Sequence, residues 1–185
     1  MTSVSIDAPR PLEVRPGPDP KSIAVCAGLS ADDIEVEGSF GHAPVHAGVG
    51  LAFLIARTNP DALACAVPNA SALRALPPGP WSADPSLLLY TRDGPLIATR
   101  MFAPLAGIPE DPATGSAAAA LAAFLLSLTD ASEHALTISQ GAQMGRPSTL
   151  HATARRTQDG IRATVGGACI PVLHGEAMLD RRIDP

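Results

Sequence analysis

The sequence has few aromatic residues, few charges and no long apolar run. Only 3% of its 185 residues are aromatic and 17% are charged, whereas 46% are hydrophobic. Such a hydrophobic fraction excludes an intrinsically disordered chain, and the length is sufficient for one domain with a buried core. We therefore expect residues 1–185 to form a single domain.

Basic residues are scarce as well, and the net charge is −5. They are scattered along the chain except for the pairs Arg155–Arg156 and Arg181–Arg182. The chain therefore has no basic stripe that would follow a phosphate backbone, and it has few aromatic platforms for stacking single-stranded bases. Nucleic acid is not an expected partner.

Membrane and export signals are missing from the sequence. The longest apolar run, residues 117–126, is far below the roughly 20 residues that cross a bilayer. The N-terminus carries Ser5 and Asp7 and has neither the basic nor the apolar region of a signal peptide. We expect a cytoplasmic protein with no membrane partner.

Metal and disulfide patterns are also absent. Cys26, Cys65 and Cys169 lie far apart and are expected to be free thiols in a reducing compartment. His42 and His46 are the only closely spaced histidines, and two ligands around a proline do not make a metal motif. No metal is expected.

Capping and turn residues predict short elements. Three short helices are predicted from their caps. Asp19, followed by proline, begins a helix at residues 21–27, and Asn59, also followed by proline, begins a second at residue 60. Asn69 begins a third, which ends at residue 76. Residues 93–94 predict a hairpin turn, and Trp81 is expected to anchor the proline-rich loop 77–85. Predicted strands are 4–6, 49–56, 86–91, 96–102, 135–139, 148–157, 161–165 and 169–173.

The most informative segment is residues 100–118, RMFAPLAGIPEDPATGSAA. A loop punctuated by glycine and proline leads into a helix, 116–128, that is apolar on every side and must therefore be enclosed. The polar side chains Glu110, Asp111, Thr114 and Ser116 cluster where this helix begins.

The start of this helix is a candidate anion site. The first amides of a helix have no partner inside it, so those of Gly115, Ser116 and Ala117 can hold a substrate carboxylate. Asp111 and Ser116 would flank the bound group. A simpler alternative needs no ligand: Thr114 or Ser116 is an N-cap, and Asp111 is a favourable charge at the positive end of the helix dipole.

Residues 100–117 resemble the signature of the PhzF-like isomerases of phenazine biosynthesis, whose fold is that of diaminopimelate epimerase. Three further segments match that family in order: QGAQMGRPS at 140–148, VGG at 165–167 with Gly175 downstream, and, upstream, GVGLAFLIA at 48–56. APRP at 8–11 resembles the segment that opens the family's second domain.

The resemblance implies an α+β fold, a half-barrel of mostly antiparallel strands around a central apolar helix. It also implies a cofactor-independent isomerase or epimerase that shifts a proton on a small carboxylate-bearing substrate. The implied catalytic residues are Asp111 and Ser116, and the implied substrate-binding residues are Thr114, Gly115, Ser116, Ala117 and Gly48.

Only the C-terminal half of such enzymes is matched. In the family the other half supplies the glutamate that exchanges the proton and a Gly-His pair at a second helix start. Gly41–His42 has the right letters but precedes a predicted strand, so we interpret His42 as a loop or core residue. The base is expected from a complementary N-terminal-half subunit or from a second copy in a homodimer. The alternative is a non-catalytic carboxylate-binding or interaction module.

Overall fold

The computed structural model of the chain describes residues 2–38, 41–79, 84–93 and 96–176. It is an α+β protein in which one curved sheet encloses a central helix, as expected. The strands are β1 (Thr2–Asp7), β2 (Glu13–Pro16), β3 (Val45–Gly48), β4 (Ala52–Arg57), β5 (Leu87–Asp93), β6 (Leu96–Ala103), β7 (Ile108–Asp111), β8 (Glu133–Gln140), β9 (Ser148–Thr157) and β10 (Gly160–Cys169). The helices are α1 (Pro20–Ala27), α2 (Pro60–Cys65), α3 (Ala70–Ala75) and α4 (Gly115–Ser127).

The sheet has the strand order β1-β10-β9-β8-β6-β5-β4-β3-β2, and β7 pairs with β6. All pairings are antiparallel except β4 with β5 and β6 with β8. The order places β1 and β2, which are close in sequence, at opposite edges of the sheet.

Two cores lie on the two faces of the sheet. On the inner face, α4 packs against alternating residues of the central strands, such as Phe53, Leu88 and Met101. On the outer face, α1 and α2 pack against the residues between them, such as Leu54 and Phe102. Residues 117–126 of α4 are all buried, which confirms that the apolar helix is enclosed.

The three outer helices begin as their sequences predict. The side chains of Asp19, Asn59 and Asn69 accept hydrogen bonds from the backbone amides of Ser22, Ala62 and Ala72 at 3.0, 2.8 and 3.0 Å. Pro20 and Pro60 occupy the first helical turn, where a missing amide proton costs nothing.

Two predicted strands were wrong in extent, and β2, β3 and β7 were not predicted. Residues 49–51 are not strand but the turn between β3 and β4, because Gly48 and Gly50 make that turn tight. Residues 170–173 are not strand either; β10 continues through Gly166 and Gly167 and ends before Pro171. Among the strands that were not predicted, β2 lies in a proline-rich segment at the edge of the sheet, where proline is tolerated.

Some expectations concern residues outside the described ranges. Trp81, Gly94 and the pair Arg181–Arg182 lie there, although β5 and β6 on either side of residues 93–94 do form an antiparallel hairpin. Among the described residues, the helices are all too short or too polar to span a bilayer.

Candidate functional site

The helix α4 begins without a side-chain cap. Thr114 occupies the N-cap position, but its side chain makes no capping hydrogen bond. The first backbone bond of the helix runs from the Ala118 amide to the Thr114 carbonyl, at 3.0 Å. Within the described part of the chain, no acceptor is found for the amides of Gly115, Ser116 and Ala117. The simpler reading, in which Thr114 caps this helix, is therefore wrong for the Thr114 side chain.

Instead, the Thr114 side chain belongs to a buried network with Asp111 and Gln140. Its hydroxyl donates to Asp111 Oδ2 at 2.6 Å and accepts from Gln140 Nε2 at 2.9 Å. The same Gln140 nitrogen donates to the Asp111 carbonyl at 2.6 Å, and Gln140 Oε1 accepts from the Thr114 amide at 3.4 Å. These bonds fix the loop 111–114 against the end of β8.

The role of Gln140 was not identified from the sequence. Its position contains a signal, because it follows Leu136 and Ile138 at alternate positions on the buried face of β8. A glutamine on the buried face of a strand must have hydrogen-bond partners. Gly141 comes next, and a side chain there would clash with the Pro112 carbonyl at 2.7 Å, so the loop packs directly on this backbone.

Glu110 and Asp111 point to opposite faces of the sheet. Asp111 pairs with the inner-face residue Met101, whereas Glu110 forms a two-pronged ion pair with Arg100 at 2.8 Å for each bond. Both side chains of that ion pair are largely buried. Glu110, which the sequence analysis placed in the polar cluster at the helix start, is thus held away from that start by Arg100.

Two clefts meet at the start of α4. One, of about 520 Å³, is lined by Gly115, Val165 and the Gly166–Gly167 segment of β10, and we name it the β10 cleft. The other, of about 320 Å³, is lined by Ser116, Ile6 and Leu51, and we name it the β1 cleft. Gly115, Val165 and Ile6 border both clefts, so the start of α4 lies beside a largely apolar groove, whereas Ala117 is buried and lines neither cleft.

The predicted site residues do not all reach these clefts. Gly115 and Ser116 line them, and the exposed Ser116 hydroxyl has no hydrogen-bond partner among the described residues. Asp111 is half-buried and is held by Thr114 instead of lining either cleft. Gly48 is the last residue of β3 and lines a separate small cleft with Arg10, although Val49, in the turn that follows, borders the β1 cleft.

One carboxylate near the helix start was missed from the sequence. Asp7, at the end of β1, lines the β1 cleft. Its carboxylate accepts a hydrogen bond from the Thr164 hydroxyl on the neighbouring strand at 2.5 Å. Asp7 is 109 positions before Ser116, so only the pairing of β1 with β10 brings it here.

His42 is a half-buried loop residue that packs against the core, as expected. Its ring lies 4.6 Å from the Phe124 ring and its Nε2 lies 2.9 Å from the Tyr90 hydroxyl. Since the Ala43 carbonyl can only accept, Nδ1 donates to it, at 2.7 Å. Burial lowers the pKa of His42, although the bond to Ala43 opposes this effect.

Other groups in the described ranges do not form a second site. No cluster of three His, Cys, Asp or Glu side chains able to hold a metal is found there. Burial raises the pKa of the Cys26 thiol to about 11, so it is protonated at neutral pH. A cleft of about 700 Å³ lies near Arg57 and is bordered by Asp32, Glu35 and Glu37, a lining that disfavours a carboxylate.

Comparisons with known proteins identify a family and solved structures that share this fold. The family described as phenazine biosynthesis-like protein matches residues 23–175. A predicted epimerase from Pseudomonas aeruginosa is 30% identical, with a TM-score of 0.63 over 89% of this chain and 55% of that one. PhzF-family phenazine biosynthesis proteins from Bacillus anthracis and Enterococcus faecalis share the fold, with TM-scores of 0.74 and 0.57 and identities of 16% and 21%.

The B. anthracis match covers 89% of this chain and 57% of that one, and the E. faecalis match covers 96% and 57%. The chain thus spans a little over half the length of these solved structures. None of the curated proteins compared with it matches significantly.

Proposed function

This chain belongs to the phenazine biosynthesis-like protein family, and from that premise we propose that it is one half of a cofactor-independent proton-shift isomerase or epimerase. The substrate is a small molecule bearing a carboxylate. The observation that carries the proposal is the start of α4, where the amides of residues 115–117 have no acceptor among the described residues and where Gly115 and Ser116 line the β1 and β10 clefts.

The carboxylate of the substrate binds to the amides of Gly115, Ser116 and Ala117. The dipole of a helix favours negative charge at its N-terminus, and these amides belong to the first three of the thirteen residues of α4. Removing a proton beside a carboxylate builds further negative charge, which the fixed amides stabilise without reorganising. The Ser116 hydroxyl, which is exposed in the β1 cleft, donates to the same oxygen atoms.

Asp111 orients this arrangement or relays a proton, and the principal base comes from elsewhere. Its carboxylate is held by the Thr114 hydroxyl at 2.6 Å, next to the first residue of the helix. Among the described residues that line the two clefts, the single carboxylate is Asp7, and Thr164 holds it. We propose that the base is contributed by a complementary N-terminal half or by a second copy of the chain.

The surface beside the clefts supports such a partner. Ile6 and Leu51, which line the β1 cleft, are 66% and 68% exposed. Apolar residues clustered at a site in this way are typical of an interface. Light scattering should therefore show a dimer, or binding to the complementary half, and a persistent monomer at high concentration would contradict this part of the proposal.

A second candidate function is a binding module without catalysis. It is favoured by the lining of the two clefts. Among their described lining residues there is no histidine, and the single carboxylate, Asp7, accepts a hydrogen bond from Thr164. Such a module would bind carboxylates at α4 without exchanging a proton.

The test combines solvent-deuterium incorporation with ligand binding. Candidate cyclic and aromatic amino acids are incubated in D2O with the chain alone and with its partner half, and the same compounds are titrated while amide NMR signals are followed. Exchange together with shifts at residues 115–117 supports the isomerase; shifts without exchange support the binding module. Shifts elsewhere overturn the site.

Gly115→Ala is the sharpest variant for this titration. The added methyl group would lie 3.5 Å from Val165, an ordinary contact that the fold tolerates but that fills the groove. We expect binding to weaken by about tenfold, or ~1.4 kcal/mol, with no loss of stability. Gly175→Ala, where the new methyl group meets nothing within 4 Å, is the matched control. Equal binding by both variants would contradict the site.

A further inference from the structure

The Arg100–Glu110 ion pair lies on the face of the sheet opposite the proposed site. Arg100 and Glu110 are 8% and 15% exposed, and two parallel bonds of 2.8 Å join them. Met101 follows Arg100 on β6, and Asp111 follows Glu110 on β7. Met101 and Asp111 are paired across the two strands and face inward. The ion pair is thus one residue away from the site on each strand.

Arg100 also fixes a second element. Its Nη1 donates to the carbonyls of Leu63, Ala64 and Ala66 at 3.1, 3.3 and 2.7 Å. These are the carbonyls at the C-terminal end of α2, which have no partner inside that helix. The guanidinium carbon lies 4.9 Å from the centre of the Phe102 ring. These contacts on the outer face of the sheet therefore fix the conformation of the Arg100 side chain.

The consequence for Asp111 follows from the alternation of a strand. Neighbouring side chains on β7 must point to opposite faces, so anchoring Glu110 outward determines that Asp111 points inward. A slip of one residue would exchange the two carboxylates between the faces. With Asp111 pointing inward, its carboxylate accepts the hydrogen bond from the Thr114 hydroxyl and so joins the network with Gln140.

We infer that Arg100 and Glu110 are positioning residues, which hold Asp111 and Thr114 in register with Gln140 at the start of α4. This inference rests on the proposed function for its catalytic consequence, but its structural part has an independent readout. The two Nε2 protons of Gln140 bond to the Asp111 carbonyl and the Thr114 hydroxyl, so their NMR signals report the register directly.

The test is Glu110→Gln, which keeps the size of the side chain and removes its charge, in the full chain. We expect the Gln140 side-chain amide signals and the Asp111 amide signal to shift or broaden. Where wild-type exchange activity is present, kcat should fall by about 10²-fold, since small misplacements of a reacting group cost this much, with little change in KM. Arg100→Lys, which keeps the charge but loses the two-pronged geometry, should shift the same signals if Glu110→Gln does not fold.

The matched control is Glu35→Gln. Glu35 forms an ion pair with Arg57 at 2.8 Å and has no described bond to residues 110–114. It should leave the Gln140 and Asp111 signals in place. Unmoved Gln140 signals in a folded Glu110→Gln or Arg100→Lys variant would overturn the inference. If the signals shift in the variants but the wild-type protein exchanges no proton, the positioning role is supported and the proposed isomerase activity is rejected.

Discussion

The two ends of the central helix differ in how their backbone groups are satisfied. At the C-terminal end, Arg156 donates to the carbonyls of Leu126 and Thr129 at 3.3 and 2.6 Å, and the Thr129 hydroxyl donates to Leu126 at 3.1 Å. At the N-terminal end, the amides of residues 115–117 have no acceptor among the described residues. One end is closed by side chains, and the other is open toward two clefts.

This difference is informative because the fold caps its other helices. Three short outer helices each receive a side-chain acceptor at their first turn, and such a cap contributes roughly 1 kcal/mol. The longest helix does without this stabilisation, although Thr114 stands at the right position. An uncapped start on a buried helix is thus a local cost of the kind found at functional sites.

The largest effect should come from the charge at the open end. Asp111→Asn should lower the rate of proton exchange in the complete assembly by roughly 10²- to 10⁴-fold, as loss of a proton-transfer group does. Stability should change by about 0.3–1 kcal/mol, the size of a charge–dipole term. Deuterium incorporation and chemical unfolding measure the two quantities separately.

The same substitution at a capped start is the control. Asp19→Asn leaves an oxygen to accept from the Ser22 amide, so rate and stability should both stay near wild type. If Asp111→Asn exchanges protons at the wild-type rate, Asp111 is a structural charge and the two helix starts do not differ in function.

The closed end should show the opposite behaviour. Arg156→Met removes the donor to three carbonyls, those of Leu126, Thr129 and Ala131, and a positive charge at the C-terminus of α4. Because Arg156 is exposed, we expect a loss of only about 1 kcal/mol of stability. Ligand binding at residues 115–117 should be unchanged. Arg155→Met, at a neighbour with no described hydrogen bond, should cost less. Weaker binding in Arg156→Met would show that the two ends are coupled.

Much of this architecture was predicted from local chemistry. The caps Asp19, Asn59 and Asn69, the enclosed apolar helix and the hairpin before it follow from signals within a few residues of each other, and all are confirmed. The resemblance of residues 100–117 to a family signature also predicted the half-barrel, because members of that family have this fold.

The errors arose where a residue has a role that only distant strands define. The predicted strands 161–165 and 169–173 leave Gly166 outside a strand, but it lies within β10, and a side chain there would lie 2.6 Å from the Val4 carbonyl. The glycine allows β1 and β10 to approach each other. No sequence window contains both Val4 and Gly166, so this contact was not predictable from local pattern.

The site was predictable in its residues but not in its orientations. The sequence placed Glu110 and Asp111 together at the helix start, but it did not identify Arg100 as the partner of Glu110, or Gln140 as that of Asp111 and Thr114. Asp7 joins the β1 cleft only through strand pairing. The role of each site residue stays a prediction until the variants are measured.

The smallest predicted effect is a pH dependence confined to the closed half of α4. His42 packs on Phe124, and His134 Nε2 donates to the Ala122 carbonyl at 2.7 Å. Burial lowers the pKa of both histidines; hydrogen bonds to Ala43 and Ala122 oppose this effect, and nearby Arg57 and Arg92, respectively, add to it. The unfolded chain therefore binds protons at a higher pH than the folded protein does.

The sign of the effect follows from this order. Stability from the neutral histidines is complete above about pH 6.5 and is lost as the pH falls through the lowered folded pKa values, by at most ~1.4 kcal/mol per pH unit for each proton. Amide exchange should quicken first at residues 124–128 and later at 118–120. His42→Gln, whose amide can still reach Tyr90, should flatten the profile. Exchange that quickens first at the open end would show that acid acts on the anion site instead.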